Sequence, residues 1–400
     1  MIKSLSVARV RSLDGLDFSF ASGINVIHGP NGCGKTTVLE SVHLLSQGFS
    51  FRAKDLKELV RWNADDLILR GEFELDGIPL SRALQVGRRK MTAKENGNAV
   101  RSVSAFFGKS PAVIMQPSDI ELLRGAPEVR RHWLDEILCF RSVANAGVLR
   151  NYKRVLQQRN QWLRQFKKEG SAVGGEDLFQ VLSRQLVDLG ARLWLARINL
   201  SAEISPVITE YYRRLSGGVD EITCDYRSSI LKELDALDAA DFMDADDLDS
   251  VAAEEAPEGM PRMDDAMDGA QGVSEEMLRN AFANKLAGLE LVEKMQGVTM
   301  AGPHKDDLAL CASGYEMRSV GSQGQCRSAA IAMRFAAVDV ASKHVGKPIL
   351  LLDDIFAELD VNRRDAVASL VREKDCQVII ATPQVEELPF SADAEIALGI

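Results

Sequence analysis

Between Ile24 and Leu45 the apolar pattern of the chain changes character. A continuous strand-like run (Ile24 to Ile27) gives way to helical spacing at Thr37, Val38, Leu39, Val42 and Leu45. The residues at the change are Gly29-Pro-Asn-Gly-Cys-Gly-Lys-Thr36, which fit G-x-x-x-x-G-K-S/T. Strand, glycine-rich turn and amphipathic helix in that order build a phosphate cradle. The glycines let successive backbone N–H groups close around an anion, and the helix N-terminus adds its partial positive charge. The cradle comprises Gly29, Pro30, Asn31, Gly32, Cys33, Gly34, Lys35, Thr36 and Thr37. Lys35 is placed to reach the β- and γ-phosphates of a nucleotide, and the Thr36 hydroxyl to bind magnesium.

A second half-site is expected more than 300 residues later, where Ile349-Leu-Leu-Leu352 runs into Asp353-Asp354. Four apolar residues ending in two carboxylates read as a buried parallel strand delivering acids to the sheet's C-terminal edge. There Asp353 can hold magnesium and Asp354 can polarise the attacking water. Without the first motif the same run would read as a core strand capped by an acidic turn. Ser319-Val-Gly-Ser-Gln-Gly-Gln325 precedes a helix whose apolar face carries Ala329, Ile331, Ala332, Phe335 and Val338. Alone it is a loop-to-helix junction, and a further anion cradle by its shape. About 25 residues before the Asp353 strand, it resembles the LSGGQ-type signature of ABC ATPases, with Ser322, Gly324 and Gln325 at matching places. Glu358-Leu-Asp360 resembles the D-loop of that family, with Asp360 at its end. The resemblance implies that the signature of one protomer meets the γ-phosphate bound by the other, in a homodimer closed by ATP.

The composition narrows the class. Hydrophobic residues make up 46% of the 400 residues, yet no apolar run approaches the roughly 18 needed to cross a bilayer, so no membrane role is expected. Lys3, Arg9 and Arg11 interrupt the N-terminal alternation, which is unlike a secretory signal. Six cysteines show no C-x-x-C spacing and five histidines no metal-like cluster, which suits a reducing cytoplasm. A net charge of −10 argues at first against a nucleic-acid partner. The acid is concentrated, however: 13 Asp/Glu and one basic residue, Arg262, lie between Asp235 and Ala270, and the remainder carries 47 basic against 45 acidic residues. The stretch 235–272 reads as a solvated, disordered insertion with no core of its own; acting as a DNA mimic and autoinhibitor is its alternative reading. The reverse holds from Arg124 to Lys168, with 11 Lys/Arg against three acids. That stretch is either a solvated helix face or a set of phosphate contacts; Arg130, Arg131, Arg150, Lys153, Arg154 and Arg159 are the candidates for DNA. Trp162 and Phe166 read as packing residues.

Residues 2–8, 15–20 and 24–28 read as strands, as does Leu67 to Leu84 about Asp76-Gly77. Val113-Ile-Met-Gln116 returns the chain to the sheet and puts Gln116 at the place of a magnesium-sensing Q-loop glutamine. Helical patterns at 142–169 and 176–203, separated by Gly170-Ser-Ala-Val-Gly-Gly175, predict an antiparallel hairpin of helices about 40 Å long each. The sheet is expected to resume near 298. The expected division is an ATPase head from 1–120 and 296–400, interrupted by a helical arm at 121–295 that holds the hairpin (142–203) and the acidic insertion.

Further stretches tie the chain to one family. Gly48-Phe-Ser-Phe-Arg52 with Glu58-Leu-Val-Arg-Trp62, Gly125-Ala-Pro-Glu-Val-Arg-Arg131 with Leu134-Asp135, Tyr152 through Arg159-Asn160, and Gly302-Pro-His-Lys-Asp-Asp-Leu308 are similar to motifs of the RecF family of SMC/ABC-type ATPases. The similarity covers the chain end to end apart from the acidic insertion. It departs where Lys305 stands for the usual arginine, and Thr382 stands where most ABC ATPases carry a switch histidine. Asp354 replaces the ABC glutamate, as is common in RecF proteins, and its shorter side chain fits slow hydrolysis.

The resemblance implies an α/β fold, an ABC-type P-loop ATPase head with a mixed sheet, flanking helices and a helical arm. It further implies ATP and Mg2+ as cofactors and a weak, DNA-stimulated ATPase. ATP-closed dimers would clamp DNA at single-strand gaps or junctions, help RecO and RecR load RecA, and support replication restart and the SOS response. Three other readings remain: an SMC-like head that bridges or compacts DNA, which the short hairpin disfavours; a non-DNA P-loop phosphotransferase, which the 319–325 turn disfavours; and a transporter's nucleotide-binding subunit, which the long stretch with a helical arm between Lys35 and Asp353 disfavours.

Overall fold

The computed structural model describes residues 1–88, 90–101, 103–106, 109–218, 221–234, 272–386 and 388–399. The acidic insertion at 235–272 lies outside them except for Gly272. The N-terminal strands are β1 (Ile2–Ala8), β2 (Leu16–Ser19) and β3 (Ile24–His28), followed by α1 (Lys35–Gln47). Next come β4 (Asp66–Leu75), β5 (Ile78–Gly87), β6 (Met91–Glu95), β7 (Asn98–Val100) and β8 (Ala112–Met115). Helices α2 (Pro127–Arg141), α3 (Val143–Glu169) and α4 (Gly175–Ser216), strand β9 (Ile222–Arg227) and helix α5 (Glu275–Gln296) form the middle. The C-terminal part holds β10 (Asp307–Ala312), β11 (Tyr315–Glu316), α6 (Gln323–His344), β12 (Ile349–Asp353), α7 (Val361–Glu373), β13 (Gln377–Thr382) and β14 (Ala394–Ala397).

Two sheets enclose α1. One is antiparallel, in the order β2-β1-β4-β5-β6-β7; the other is parallel, in the order β14-β3-β13-β12-β8. The β4–β5 turn sits at Asp76-Gly77, both with positive φ (48° and 80°), the geometry that a two-residue hairpin needs. β6 and β7 turn at Asn96-Gly97 in the same way. Helix α1 departs from its amphipathic reading. It packs against strands of both sheets, so even Glu40, Ser41, His43, Ser46 and Gln47 are buried. Part of the polar side is matched from within: Glu40 accepts from Arg11 and Ser50, and Ser41 donates to Thr37 O at 2.7 Å. At the helix C-terminus, buried Arg82 donates to Leu45 O (2.7 Å) and Ser46 O (3.0 Å), where carbonyls lack helical partners.

The hairpin α3–α4 forms, but α4 runs to Ser216 instead of stopping near 203. Pro206 lies inside it. A proline removes one helical hydrogen bond, yet burial of Ile204, Ile208, Tyr212 and Leu215 against the arm core carries the helix past it to Gly217. At 42 residues α4 is about 63 Å long. Strand β9 falls where no strand was expected; the next strand after the arm helices, β10, starts at Asp307, and the parallel head sheet resumes at β12 (Ile349), not near 298. β9 pairs with β10 to make a small antiparallel sheet with β11. These pairings cross the boundary expected at 295/296.

Buried Arg159 ties the arm together. Its guanidinium donates to Glu293 Oε2 (2.6 Å), Thr299 Oγ1 (2.8 Å) and Ser183 Oγ (3.0 Å), and lies over the Phe179 ring. Arg159 is 1% and Glu293 0% exposed, so neither charge has water to fall back on. Arg159→Met should lower the unfolding free energy by about 3–5 kcal/mol, because Glu293 is left buried without its partner. Arg159→Met with Glu293→Leu should recover much of that loss, as read by urea denaturation.

Candidate active site

The parallel sheet brings the two distant motifs to one edge. Strand β13 lies between β3 and β12, with Ala381 opposite both Ile27 and Asp353. Beyond β3 the chain turns through Gly29, Gly32 and Gly34, at φ of 147°, 85° and 110°. Side chains rarely adopt such φ values, and a Cβ on Gly29 would also strike the Leu398 carbonyl. Lys35 Nζ donates to Gly29 O (2.7 Å) and Pro30 O (3.1 Å), folding across the loop that it follows.

Thr36 Oγ1 donates to Asp353 Oδ1 at 2.9 Å, joining positions 317 residues apart. Burial pushes the Asp353 carboxyl above its ordinary pKa, while the Thr36 hydrogen bond and the Arg52 charge oppose the rise. A hydroxyl and a desolvated carboxylate side by side are hard oxygen donors that fit Mg2+. Asp354 follows in the left-handed region (φ 51°), with its N–H donating to Ala381 O at 2.9 Å. Asp and Asn tolerate this conformation better than longer side chains, so the backbone itself favours a short acid here. On the other side, pairing of Met115 with Leu352 puts Gln116 level with Asp353. The Gln116 N–H donates to Asp119 Oδ2 at 2.9 Å. Thr382, at the end of β13, donates to Gln384 O at 3.0 Å.

Ser322 caps α6. Its Oγ accepts from Gln325 N (3.2 Å), and Gln325 Oε1 accepts from Ser322 N (2.8 Å), a reciprocal capping box. Gly324 lies against the Arg363 guanidinium, which a Cβ there would push aside. Arg363 in turn donates to Asp360 Oδ2 at 2.9 Å, and Asp360 Oδ1 caps α7 by accepting from Arg363 N. Arg327 and Glu358 pair at 2.6 Å. The turn at 319–325 and the Glu358–Asp360 loop are thus one connected surface. Further along α6, Arg334 binds Asp119 at 2.7 Å. Ser322 lies 12 residues before Arg334, about 18 Å along the helix axis from that contact.

Residues 1–394 match the family model described as the RecF/RecN/SMC N terminal domain. The DNA replication and repair protein RecF of Geobacter sulfurreducens is 31% identical over 388 residues, covering 97% of this chain and 94% of the relative. The chain belongs to the RecF family. RecF of Bacillus subtilis is 26% identical over 386 residues, 96% of this chain and 94% of its own length. Among solved structures, the recombination mediator protein RecF bound to ATP superposes with a TM-score of 0.81 at 25% identity, covering 99% of this chain and 95% of that one. An Smc head bound to the C-winged helix domain of ScpA gives 0.51 at 15% identity over 100% of this chain and 94% of that one, a likeness of fold. The fold is that of an ABC-type P-loop ATPase head carrying a helical arm.

Two of the residues expected to contact DNA are otherwise engaged in this RecF-family chain. Arg130 is buried, pairs with both oxygens of Asp307 (2.7 and 2.8 Å) and donates to Gly125 O (3.0 Å). Arg159 is consumed by Glu293, as described above. Neither guanidinium can reach a phosphate without leaving its carboxylate, Asp307 or buried Glu293, unpaired. Arg131 donates to Asp306 O and pairs with Glu128, while Arg150, Lys153 and Arg154 are exposed on α3.

The stretch Gly302–Leu308, whose part was not legible in the sequence, is a clasp between the arm helices and β10. Gly302 (φ 138°) approaches Tyr152 so closely that a Cβ would lie 2.6 Å from its hydroxyl. Tyr152 Oη bonds His304 Nδ1 at 2.7 Å, and Arg197 donates to Pro303 O at 2.7 Å while pairing with Asp135 at 2.6 Å. Asp306 accepts from Trp194 Nε1 and from Tyr226 Oη. Its partners lie 80 to 175 positions away, beyond any local pattern.

Burial pushes the His304 pKa down from 6.5 to about 4. The folded protein therefore stays neutral there while the unfolded chain takes up a proton, so stability falls as pH drops from about 6.5 towards 4. Between pH 7 and pH 5 this group should remove about 2 kcal/mol. The loss should be missing from the pH dependence of His304→Gln, compared with the parent by urea midpoints.

Proposed function

We propose that this chain is an ATP-dependent DNA-binding protein of recombinational repair and replication restart, acting in the cytoplasm. Two copies sandwich two ATP molecules and close over DNA at single-strand gaps or junctions. There the protein works with RecO and RecR to load RecA and so supports the SOS response. Slow, DNA-stimulated hydrolysis reopens the dimer. The RecF family, and relatives named for DNA replication and repair or solved with ATP, support this reading.

One observation carries the mechanism. The nucleotide half-site around Thr36 and Asp353, and the signature surface around Ser322, Gly324 and Gln325, stand on different elements of one chain, the former at the start of α1 and the end of β12 and the latter at the N-terminus of α6. A second copy supplies the missing half. Lys35 and the backbone from Gly29 to Thr37 hold the phosphates, with Gln116 at the sheet edge beside them. Thr36 and Asp353 would hold Mg2+, which would supply positive charge to the phosphate oxygens. Asp354 orients the attacking water. Asp360, locked by Arg363, keeps the D-loop against the signature turn. A duplex-bridging SMC-like head is the second reading, favoured by the head likeness and opposed by α3, which turns back at Gly170.

Lys35→Met should abolish ATP-dependent dimerisation, measured by analytical ultracentrifugation. Ser322→Arg should keep ATP binding and lose closure; an ATP-dimer of Ser322→Arg would overturn the two-chain site. Asp354→Asn, which the left-handed backbone accepts, should bind ATP and dimerise while hydrolysis falls at least tenfold, leaving a long-lived dimer on gapped DNA.

A further inference from the structure

The clasp at Gly302–Leu308 uses nearly all of its polar groups internally. The Pro303 carbonyl accepts from Arg197, the His304 ring bonds Tyr152 Oη and faces Thr299 O, the Asp306 carboxylate takes Trp194 and Tyr226, and Asp307 takes Arg130. Lys305 is the exception. It is exposed, and among the described residues it makes no ion pair. A short 3-10 turn, bonded on both sides, holds its backbone still.

Its surroundings are basic. The residue before it touches Tyr152 on α3, and the next residue of that helix, Lys153, is exposed and lies 3.6 Å from Asp135, whose partner Arg197 donates to Pro303 O. The carbonyl of the residue after it accepts from Arg131. Arg131, Lys305 and Arg197 all bear electrostatically on the His304 ring. Of the nearby acids, Asp135 is buried and held by Arg197, with Lys153 at 3.6 Å, and Glu128 pairs with Arg131 at 3.2 Å. Lys305 has no carboxylate partner among the described residues.

We infer that Lys305 is the centre of a polyanion-binding patch, completed by Arg131 and Lys153, that takes the phosphate backbone of DNA. This rests on the DNA-binding function proposed above and assigns its surface. Cations on a rigid mount lose less freedom on binding than cations on a mobile segment, so each phosphate contact gains more. Each contact releases counterions, which makes the patch visible in the salt dependence of binding. Because the clasp joins α3, α4 and β10, the same mount connects bound DNA to the packing of the arm.

The test is fluorescence anisotropy on a labelled gapped duplex with ATP present, over a range of salt concentrations. Lys305→Ala should bind about 5- to 10-fold more weakly at one fixed salt. Its slope of log K against log salt should be shallower by about 1, while ATP-dependent dimerisation and melting temperature stay as in the parent. Lys305→Arg should behave as the parent. An unchanged slope and affinity in a Lys305→Ala protein that still dimerises with ATP would overturn the assignment and leave the DNA function standing. Absence of DNA binding by the parent would overturn the function as well. Phosphatidylglycerol vesicles complete the test: if Lys305→Ala abolishes vesicle binding and leaves DNA binding intact, the patch belongs to a membrane surface and the inference is wrong.

Discussion

Everything at the candidate active site depends on β3 lying between two strands from the far end of the chain. With β13 on one side and β14 on the other, β3 ends in the glycine turn at the level where β12 ends in Asp353 and Asp354. The Thr36–Asp353 hydrogen bond follows from that register. A slip of one residue would turn the side chains of β12 over and remove Asp353 from the hydroxyl. The arm is then the stretch of chain that leaves the head after β8 and must return to it before β12.

How the arm is held explains what could and could not be read beforehand. The glycine turn, the Asp353 strand and the Ser322 turn were legible because each is a local pattern whose chemistry is set within about ten residues. The strand segments beside them were legible from apolar runs and from Asp76-Gly77. β6 and β7 had a comparable signal in Asn96-Gly97, and β9 had none that separates it from its helical surroundings. Charge was the least informative property: Arg130 and Arg159 look in sequence like Arg150 and Arg154. Their difference lies in Asp307 and Glu293, 177 and 134 positions away, and only the packed fold makes those partners. The expected end of the helix near 203 was too early, and Pro206 does not stop α4, since one lost hydrogen bond is small beside the apolar face that α4 buries.

Buried ion pairs at these positions are a costly way to add stability, since desolvation offsets much of the Coulomb attraction. They are effective at excluding alternatives. Arg159–Glu293 fixes α3 against α5, Arg197–Asp135 fixes α4 against α2, and Arg130–Asp307 fixes α2 against β10. Each helix of the arm has a charged group that is satisfied in one arrangement. Such an arm transmits displacement as a unit, because any sliding of one helix leaves a buried charge unpaired.

The interleaving of β3 between late strands also bears on synthesis. While the chain leaves the ribosome, the glycine turn at 29–36 appears early, but its sheet neighbours at 377–382 and 394–397 appear hundreds of residues later. Until then β3 has no partner on either edge, and α1, buried on all sides in the finished head, has only the antiparallel sheet to cover it. The nascent N-terminal half is an apolar surface awaiting its lid, the kind of intermediate that chaperones bind. Nucleotide can meet a completed cradle only after residues 377–397 have emerged, so the site around Thr36 cannot form on a chain that ends before them.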